Sequence, residues 1–377
     1  MKKKKILFVM TDMSLGGGPK TLLDYLKGLD NKKYDINLYL IRNEGELINE
    51  IPSDVKVTAY ILKSDHRLLA MYKKIKLLFS KKQIKKQFEG YDLVIGYTEY
   101  YPTYVVAKIN KYLGTKAIAW IHTDLSKNPT NCLKRIIHKV LGNKLYGHIS
   151  KVMCVSENIG DVVKKIYPIV NAENKLNVIY NPNDYEEIVR QSQESINLEI
   201  NNKFKVVFVG RLSSEKNIAL LIKAISVISK RHDIQLLIIG EGSEKDNLRE
   251  LTRNLEIEEK VNFLGYKKNP YPYIRQGNVF VLPSNTEALP GVLIEALALN
   301  VPVIASNVGG VSEIVDHMKN GILFEKQNEE ELVNAIEYVM KDFRNNENHL
   351  VNPKDGLKKF EKKNSFKKIE SIFNEET

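Results

Sequence analysis

Short, nearly continuous apolar runs alternate with helical patterns along this chain. In the first half the runs at 5–10 (KILFVM), 36–41 (INLYLI), 92–96 (DLVIG), 117–122 (AIAWIH), 151–155 (KVMCV) and 177–180 (NVIY) predict strands. In the second half 204–209 (FKVVFV), 235–239 (QLLII), 261–264 (VNFL), 278–282 (NVFVL) and 302–305 (PVIA) do the same. Runs of this kind, apolar on successive residues, describe strands buried on both faces, so each half is expected to be a doubly wound α/β domain with helices covering a parallel sheet. The polar stretch 183–203, with a helical piece of its own, is the natural junction. The division expected is 1–185 and 186–356, with ligands at the C-terminal ends of the strands.

Three strand-end segments carry candidate chemistry. In NTEALPGVLIEALALN (285–300) the apolar positions Val292, Leu293, Ala296 and Leu297 give one helix face, and Pro290 suits a first turn, where its missing N–H leaves no bond unmade. Glu287 then precedes a helix start whose free N–H groups favour an anion, and Glu295 lies about one turn inside, able to hold a diol. The same spacing also fits two acids with no ligand. After the strand at 204–209, Arg211 and Lys216 stand five residues apart and suit a diphosphate, the first as a planar fork and the second as a point charge; isolated surface cations would look the same. The turn SLGGGPK places Gly16, Gly17 and Gly18 before a helix, where backbone can approach a phosphate, although it lacks the GxGxxG spacing of a dinucleotide fold.

Composition and charge narrow the rest. A length of 377 residues with 43% hydrophobic content suits two soluble cores. The two cysteines, Cys132 and Cys154, suggest neither a disulfide framework nor a metal cluster. The basic start is followed by too short an apolar run for a signal peptide, and no stretch approaches the roughly 18 apolar residues of a spanning helix. The net charge of +11 lies entirely in the first half. Much of it falls in RLLAMYKKIKLLFSKKQIKKQF (67–88), where Leu68, Met71, Tyr72, Ile75, Leu78 and Phe79 recur at helical spacing among lysines. That pattern fits a basic amphipathic helix on an anionic membrane surface, or a core-facing helix with a solvated lysine face. Nucleic acid is not expected, because the cations come with no stacking platform or reader motif.

Taken in order, these segments resemble the large retaining GT-B glycosyltransferase group called family 4, which includes bacterial capsule, lipopolysaccharide and teichoic-acid sugar transferases. The resemblance spans nearly the whole chain. It rests on the E-x7-E pair Glu287 and Glu295, the GR-x4-K segment Arg211 to Lys216, the IGEG turn Ile239 to Gly242, the FLG segment Phe263 to Gly265, and SNVGGVSEIV at 306–315. The glycine loop, AWIHTDL around His122 and VIYNP near Asn181 add to it, and the tail at 360–373 resembles the family's terminal helix, so that 357–377 is expected to pack back on the first domain. Two positions depart from the commoner pattern. Ala288 follows Glu287 where many relatives have glycine, and GGGPK stands where a Gly-Gly-Ala-Glu type is frequent.

The resemblance implies two Rossmann-like domains facing across a cleft, with the acceptor on the first and the donor on the second. It implies that Arg211 and Lys216 bind the donor diphosphate, Glu295 the ribose, and Glu287 the transferred sugar. Gly240, Glu241, Phe263 and Leu264 would line the base pocket, and Leu289, Gly291 and Val292 the helix-terminal donor site. Gly17 and Gly18 would approach the phosphates, and His122 would contact the sugar; read by itself, a histidine beside the only tryptophan is first of all a structural residue, and the resemblance reverses that reading. The expected activity is transfer of a hexosyl or N-acetylhexosaminyl group from a nucleotide-sugar, first guess UDP, to a glycan or lipid-linked acceptor. Retention is implied, and neither a metal nor another cofactor is expected, there being no D-x-D pair. The expected location is cytoplasmic, peripheral on the inner face of the membrane. A non-catalytic subunit, or a sugar-nucleotide epimerase or phosphorylase of the same architecture, is the alternative reading.

Overall fold

The structure, a computed structural model, describes residues 2–127, 140–196, 203–345, 354 and 356–377. Cys132 lies outside the described residues, and Cys154 is a buried free thiol. The chain forms two compact units, Met1–Pro182 with Lys362–Thr377, and Asn183–Glu361.

The first unit is built on seven parallel strands: β1 (Lys4–Met10), β2 (Tyr34–Arg42), β3 (Lys56–Ile61), β4 (Leu93–Gly96), β5 (Lys116–Ile121), β6 (Lys151–Cys154) and β7 (Leu176–Val178). Their order is β3-β2-β1-β4-β5-β6-β7. The order therefore reverses between β1 and β4, the place where loops diverge and leave a crevice. Ile6, Phe8, Val9, Leu93, Val94, Ile95 and Ala117 to Ile121 are fully buried, as expected of strands with helices on both faces. The terminal helix Lys362–Glu376 completes this unit. Its Phe373 packs edge-on to Phe8 and Tyr34, and Phe366 lies against Tyr25 and over Gly28, where a Cβ would meet the ring at 2.4 Å.

The second unit has six parallel strands: β8 (Phe204–Val209), β9 (Ile234–Ile239), β10 (Val261–Gly265), β11 (Val279–Leu282), β12 (Val303–Ser306) and β13 (Gly321–Phe324), in the order β10-β9-β8-β11-β12-β13. Its reversal lies between β8 and β11.

Several expectations change. Two strands fall outside the predicted set: β3, an edge strand whose first three residues are exposed, and β13, the short apolar run GILF at an edge of the second sheet. The boundary falls before Asn183 rather than after 185, because the Asn183 N–H and the Tyr185 hydroxyl donate to the carbonyls of Phe360 and Leu357. That also keeps 357–361 in the second unit, so the returning helix starts at Lys362. The helix expected to begin near Pro290 does form there, running Gly291–Ala298 with Pro290 as its N-cap.

The basic segment is two helices, Arg67–Phe79 and Lys81–Phe88, broken at Ser80, whose side chain caps the second by accepting the Gln83 N–H. A core-facing first helix is overturned. Leu77 is its buried anchor, whereas Leu68, Met71, Tyr72, Ile75 and Phe79 are each more than half exposed. Among the described residues no helix is long and apolar enough to cross a membrane.

Candidate active site

In the second unit the loops leaving β8 and β11 stand on the two sides of the reversal point. The loop after β8 carries Arg211, exposed, and a short 3-10 turn Ser214–Lys216. Asn217 closes that turn in the left-handed region, which asparagine tolerates better than most residues. The loop after β11 carries Ser284 and Glu287. Asn285 ties the two loops together: its N–H donates to the Glu215 carbonyl at 2.7 Å and its side-chain amide to the Ser214 carbonyl at 3.1 Å.

This brings two of the expected residues into direct contact. The Lys216 ammonium lies 2.6 Å from Glu287 Oε1, and the Ser284 hydroxyl donates to the same oxygen at 2.6 Å. The Glu287 side chain is 9% exposed and that of Lys216 24%. Neither Ser284 nor Asn285 is legible from the sequence, since single serines and asparagines in loops carry no spacing signal.

Close backbone packing fixes the surrounding loops. Gly240, at φ +143°, lies where a Cβ would come within 1.9 Å of the Gly210 carbonyl oxygen, and at Gly242 a Cβ would lie 2.2 Å from that of Leu212. Hydrogen bonds from Gly210 N–H to Ile239, Leu212 N–H to Glu241 and Gly240 N–H to Gly265 join these turns. Side chains would force them apart, so the glycines of IGEG hold the Arg211 loop in place. Glu241 is exposed and paired with Lys245 at 2.8 Å. Phe263 and Leu264 are half-buried beside it on β10, and the Arg249 guanidinium sits 5.6 Å from the Phe263 ring centre.

Helix Gly291–Ala298 follows the Glu287 loop directly. Leu289 is buried beneath it, Val292 and Glu295 are half-buried, and a Cβ at Gly291 would meet nothing within 4 Å. Gly291 therefore leaves open space at a helix start, where N–H groups and the helix dipole favour an anion. Ala288 is not among the residues with positive φ, so the departure from glycine there carries no backbone strain.

In the first unit the loop after β1 leads into helix Gly17–Gly28, and a Cβ at Gly17 or Gly18 would meet nothing within 4 Å. Its brace is the loop at Gly45 and Glu46, which no motif in the sequence marks. Gly45, at φ +119°, packs against the Met13 and Ser14 backbone, and the Glu46 carboxylate accepts the Leu15 N–H at 3.1 Å. His122 follows β5 directly, its ring 4.6 Å from that of Tyr97 and 5.8 Å from that of Trp120. Glu99, a single acid that no sequence motif marks, accepts the His122 backbone N–H at 3.3 Å and the Thr123 hydroxyl at 2.8 Å. His122 Nε2 is shielded from solvent with no hydrogen-bond partner, and burial pushes the imidazole down to about 3, so at neutral pH it is uncharged. A neutral imidazole with an unpaired nitrogen is suited to contact a hydroxyl. Tyr100, next to Glu99, is held at φ 60° and ψ −111°, a costly conformation for a tyrosine.

Comparison with known proteins identifies the family. The family model for Glycosyltransferase Family 4 matches residues 15–187, and that for Glycosyl transferases group 1 matches residues 189–352. The chain belongs to the glycosyltransferase family that these models describe, and it has the GT-B fold.

An N-acetylgalactosamine-N,N'-diacetylbacillosaminyl-diphospho-undecaprenol 4-alpha-N-acetylgalactosaminyltransferase of Campylobacter jejuni subsp. jejuni serotype O:2 is 32% identical over 62% of each chain. A UDP-Gal:alpha-D-GlcNAc-diphosphoundecaprenol alpha-1,3-galactosyltransferase of Escherichia coli is 25% identical over 96% of this chain and 95% of that protein. Among solved structures, Anabaena HepE in complex with UDP superimposes with a TM-score of 0.78 at 21% identity, covering 98% of this chain and all of the other.

Proposed function

We propose that this protein moves one sugar from a UDP-sugar donor to a lipid-linked glycan acceptor in cell-surface polysaccharide synthesis, with retention and without a metal. The observation that carries the reading is the meeting of the Arg211–Lys216 loop and Glu287 at the reversal point of the second sheet. Cations beside a carboxylate at the strands' C-terminal ends suit a ligand with a diphosphate and a polyhydroxylated group.

In this reading Arg211, Lys216 and the N–H groups at Gly291 and Val292 take the diphosphate, Glu295 the ribose, Glu287 the sugar hydroxyls, and Phe263, Leu264 and the Gly240–Glu241 turn the base. In the first unit, taken by itself, the Gly17–Gly18 loop suits a phosphate and His122 a sugar hydroxyl. The bond between the anomeric carbon and the phosphate oxygen breaks as the acceptor hydroxyl attacks from the same face. The acceptor proton passes to the departing phosphate, whose growing charge Arg211 and Lys216 stabilise. UDP is supported by the UDP-bound fold relative and the UDP-Gal enzyme, and a polyprenyl-diphosphate acceptor by the two named transferases.

A lipid-linked acceptor requires access to a membrane surface. The exposed apolar side chains of helix Arg67–Phe79, together with the exposed Lys76, Lys81, Lys82, Lys85 and Lys86, support docking of the first unit on the anionic cytoplasmic leaflet.

The test is nucleotide release from a panel of UDP-, GDP-, ADP- and CMP-sugars, with and without membrane lipid extract, for wild type, Glu287→Gln and Arg211→Ala. Release from a UDP-sugar that both substitutions suppress is expected. Release unaffected by either, or confined to another nucleotide class, would overturn the assignment.

A further inference from the structure

We propose that Lys216 alternates between two anions. Without donor it neutralises Glu287, and a bound diphosphate draws it away and frees the carboxylate for the sugar. Ser284 is the positioning residue that holds Glu287 through the exchange. The inference rests on the donor-site reading above and adds how one site distinguishes an intact donor from the spent nucleotide.

One part of the site is fixed and another can turn. The backbone on both sides is held: Asn285 bonds the 284–287 loop to the Ser214–Lys216 turn, and the Glu287 carbonyl packs against Gly309 with no room for a Cβ. The Lys216 side chain is the adaptable element, a flexible four-carbon stem ending in three rotatable donors. In this structure it contacts Glu287 Oε1 at 2.6 Å. A carboxylate only 9% exposed resists losing its partner, because an uncompensated charge away from water is costly.

Two features lower that cost. The Ser284 hydroxyl, itself fully buried, donates to the same Oε1 and stays when the ammonium leaves. Hydroxyl groups of the donor sugar supply further hydrogen bonds to the vacated carboxylate. An intact donor thus offers both a second anion for Lys216 and donors for Glu287. A nucleoside diphosphate offers only the anion, and it breaks the ion pair with nothing to replace it. A ligand shifts such an equilibrium only by its differential affinity for the two arrangements, so the pair favours donor over product. After transfer, return of Lys216 to Glu287 promotes release of the diphosphate.

The experiment is calorimetric titration of UDP and inorganic pyrophosphate into wild type, Glu287→Gln and Glu287→Asp, with the intact UDP-sugar titrated alongside. Removing the competing carboxylate is expected to tighten UDP and pyrophosphate binding roughly fivefold, the scale of one partly exposed ion pair, while the preference for UDP-sugar over UDP disappears. Glu287→Asp, which withdraws the carboxylate by one methylene, is expected to move the same way, so the result does not depend on one variant's folding. Ser284→Ala is expected to raise the KM for donor while UDP affinity stays within about twofold, and Ser284→Thr to restore the donor KM. UDP binding that is unchanged or weaker in both Glu287 variants would overturn the exchange while leaving the donor site standing. A wild type that binds neither UDP nor pyrophosphate would overturn the donor reading and the exchange with it.

Discussion

Gly309 and Glu287 meet main chain to main chain: Gly309 is at φ +56°, and a Cβ there would lie 1.7 Å from the Glu287 carbonyl oxygen. Gly309 therefore does more than continue the loop after β12. It sets the path of the loop that presents the Glu287 carboxylate to Lys216.

Gly309→Ala is expected to push that loop away. The strain should cost about 1–3 kcal/mol of stability, and misplacement of the carboxylate should lower donor turnover on the order of 100-fold. Gly291→Ala is the comparison for stability, since its Cβ meets nothing within 4 Å and its melting temperature should stay close to that of wild type. Thermal unfolding and nucleotide-release rates measure both. Wild-type turnover in Gly309→Ala would show that the close approach does not position Glu287.

His122 gives a pH prediction. Its folded value of about 3 lies below the ordinary imidazole value of about 6.5. Between those values the unfolded chain holds a proton that the folded protein excludes, so stability falls as pH drops from about 6.5 toward 3. Above both values the imidazole contributes no pH dependence. His122→Asn is expected to flatten the slope of unfolding free energy against pH between about 5 and 6.5, by at most about 1.4 kcal/mol per pH unit. Denaturant titrations at several pH values measure the slope, and an unaltered slope would mean that the folded protein admits the proton.

The helix Arg67–Phe79 predicts two-component membrane binding. Leu68, Ile75 and Phe79 are 70%, 52% and 66% exposed, and Lys81, Lys82, Lys85 and Lys86 on the following helix are exposed as well. Raising NaCl, or Lys→Glu at those four lysines, is expected to release most of the protein from phosphatidylserine-containing vesicles, because charge attraction is screened by salt. Serine at Leu68, Ile75 and Phe79 is expected to weaken binding even at low salt. Vesicle cosedimentation decides it: binding indifferent to all three treatments would place the contact elsewhere.

The outline of both sheets was legible in the sequence because strands buried on both faces must be apolar residue after residue, as in Ile6 to Met10 and Val206 to Val209. The edge strand β3 escaped because one side of it meets solvent and no apolar run is required. The terminal helix was legible through resemblance, but only packing showed that Leu357–Phe360 stays with the second unit while Lys362 onward covers the first.

For the site, the sequence alone determined the residue types and their order: Arg211, Lys216, Glu287 and Glu295 near strand ends, and a histidine after β5. Distance in sequence says nothing about which of them touch. Tertiary structure decided that Lys216 closes on Glu287 across 71 residues, that Ser284 and Asn285 hold the arrangement, and that Glu99 braces His122. It also decided which face of the lysine-rich helix meets solvent. Periodicity marks an apolar stripe but not what lies opposite it, and here burial of Leu77 turns Leu68, Met71, Tyr72, Ile75 and Phe79 outward.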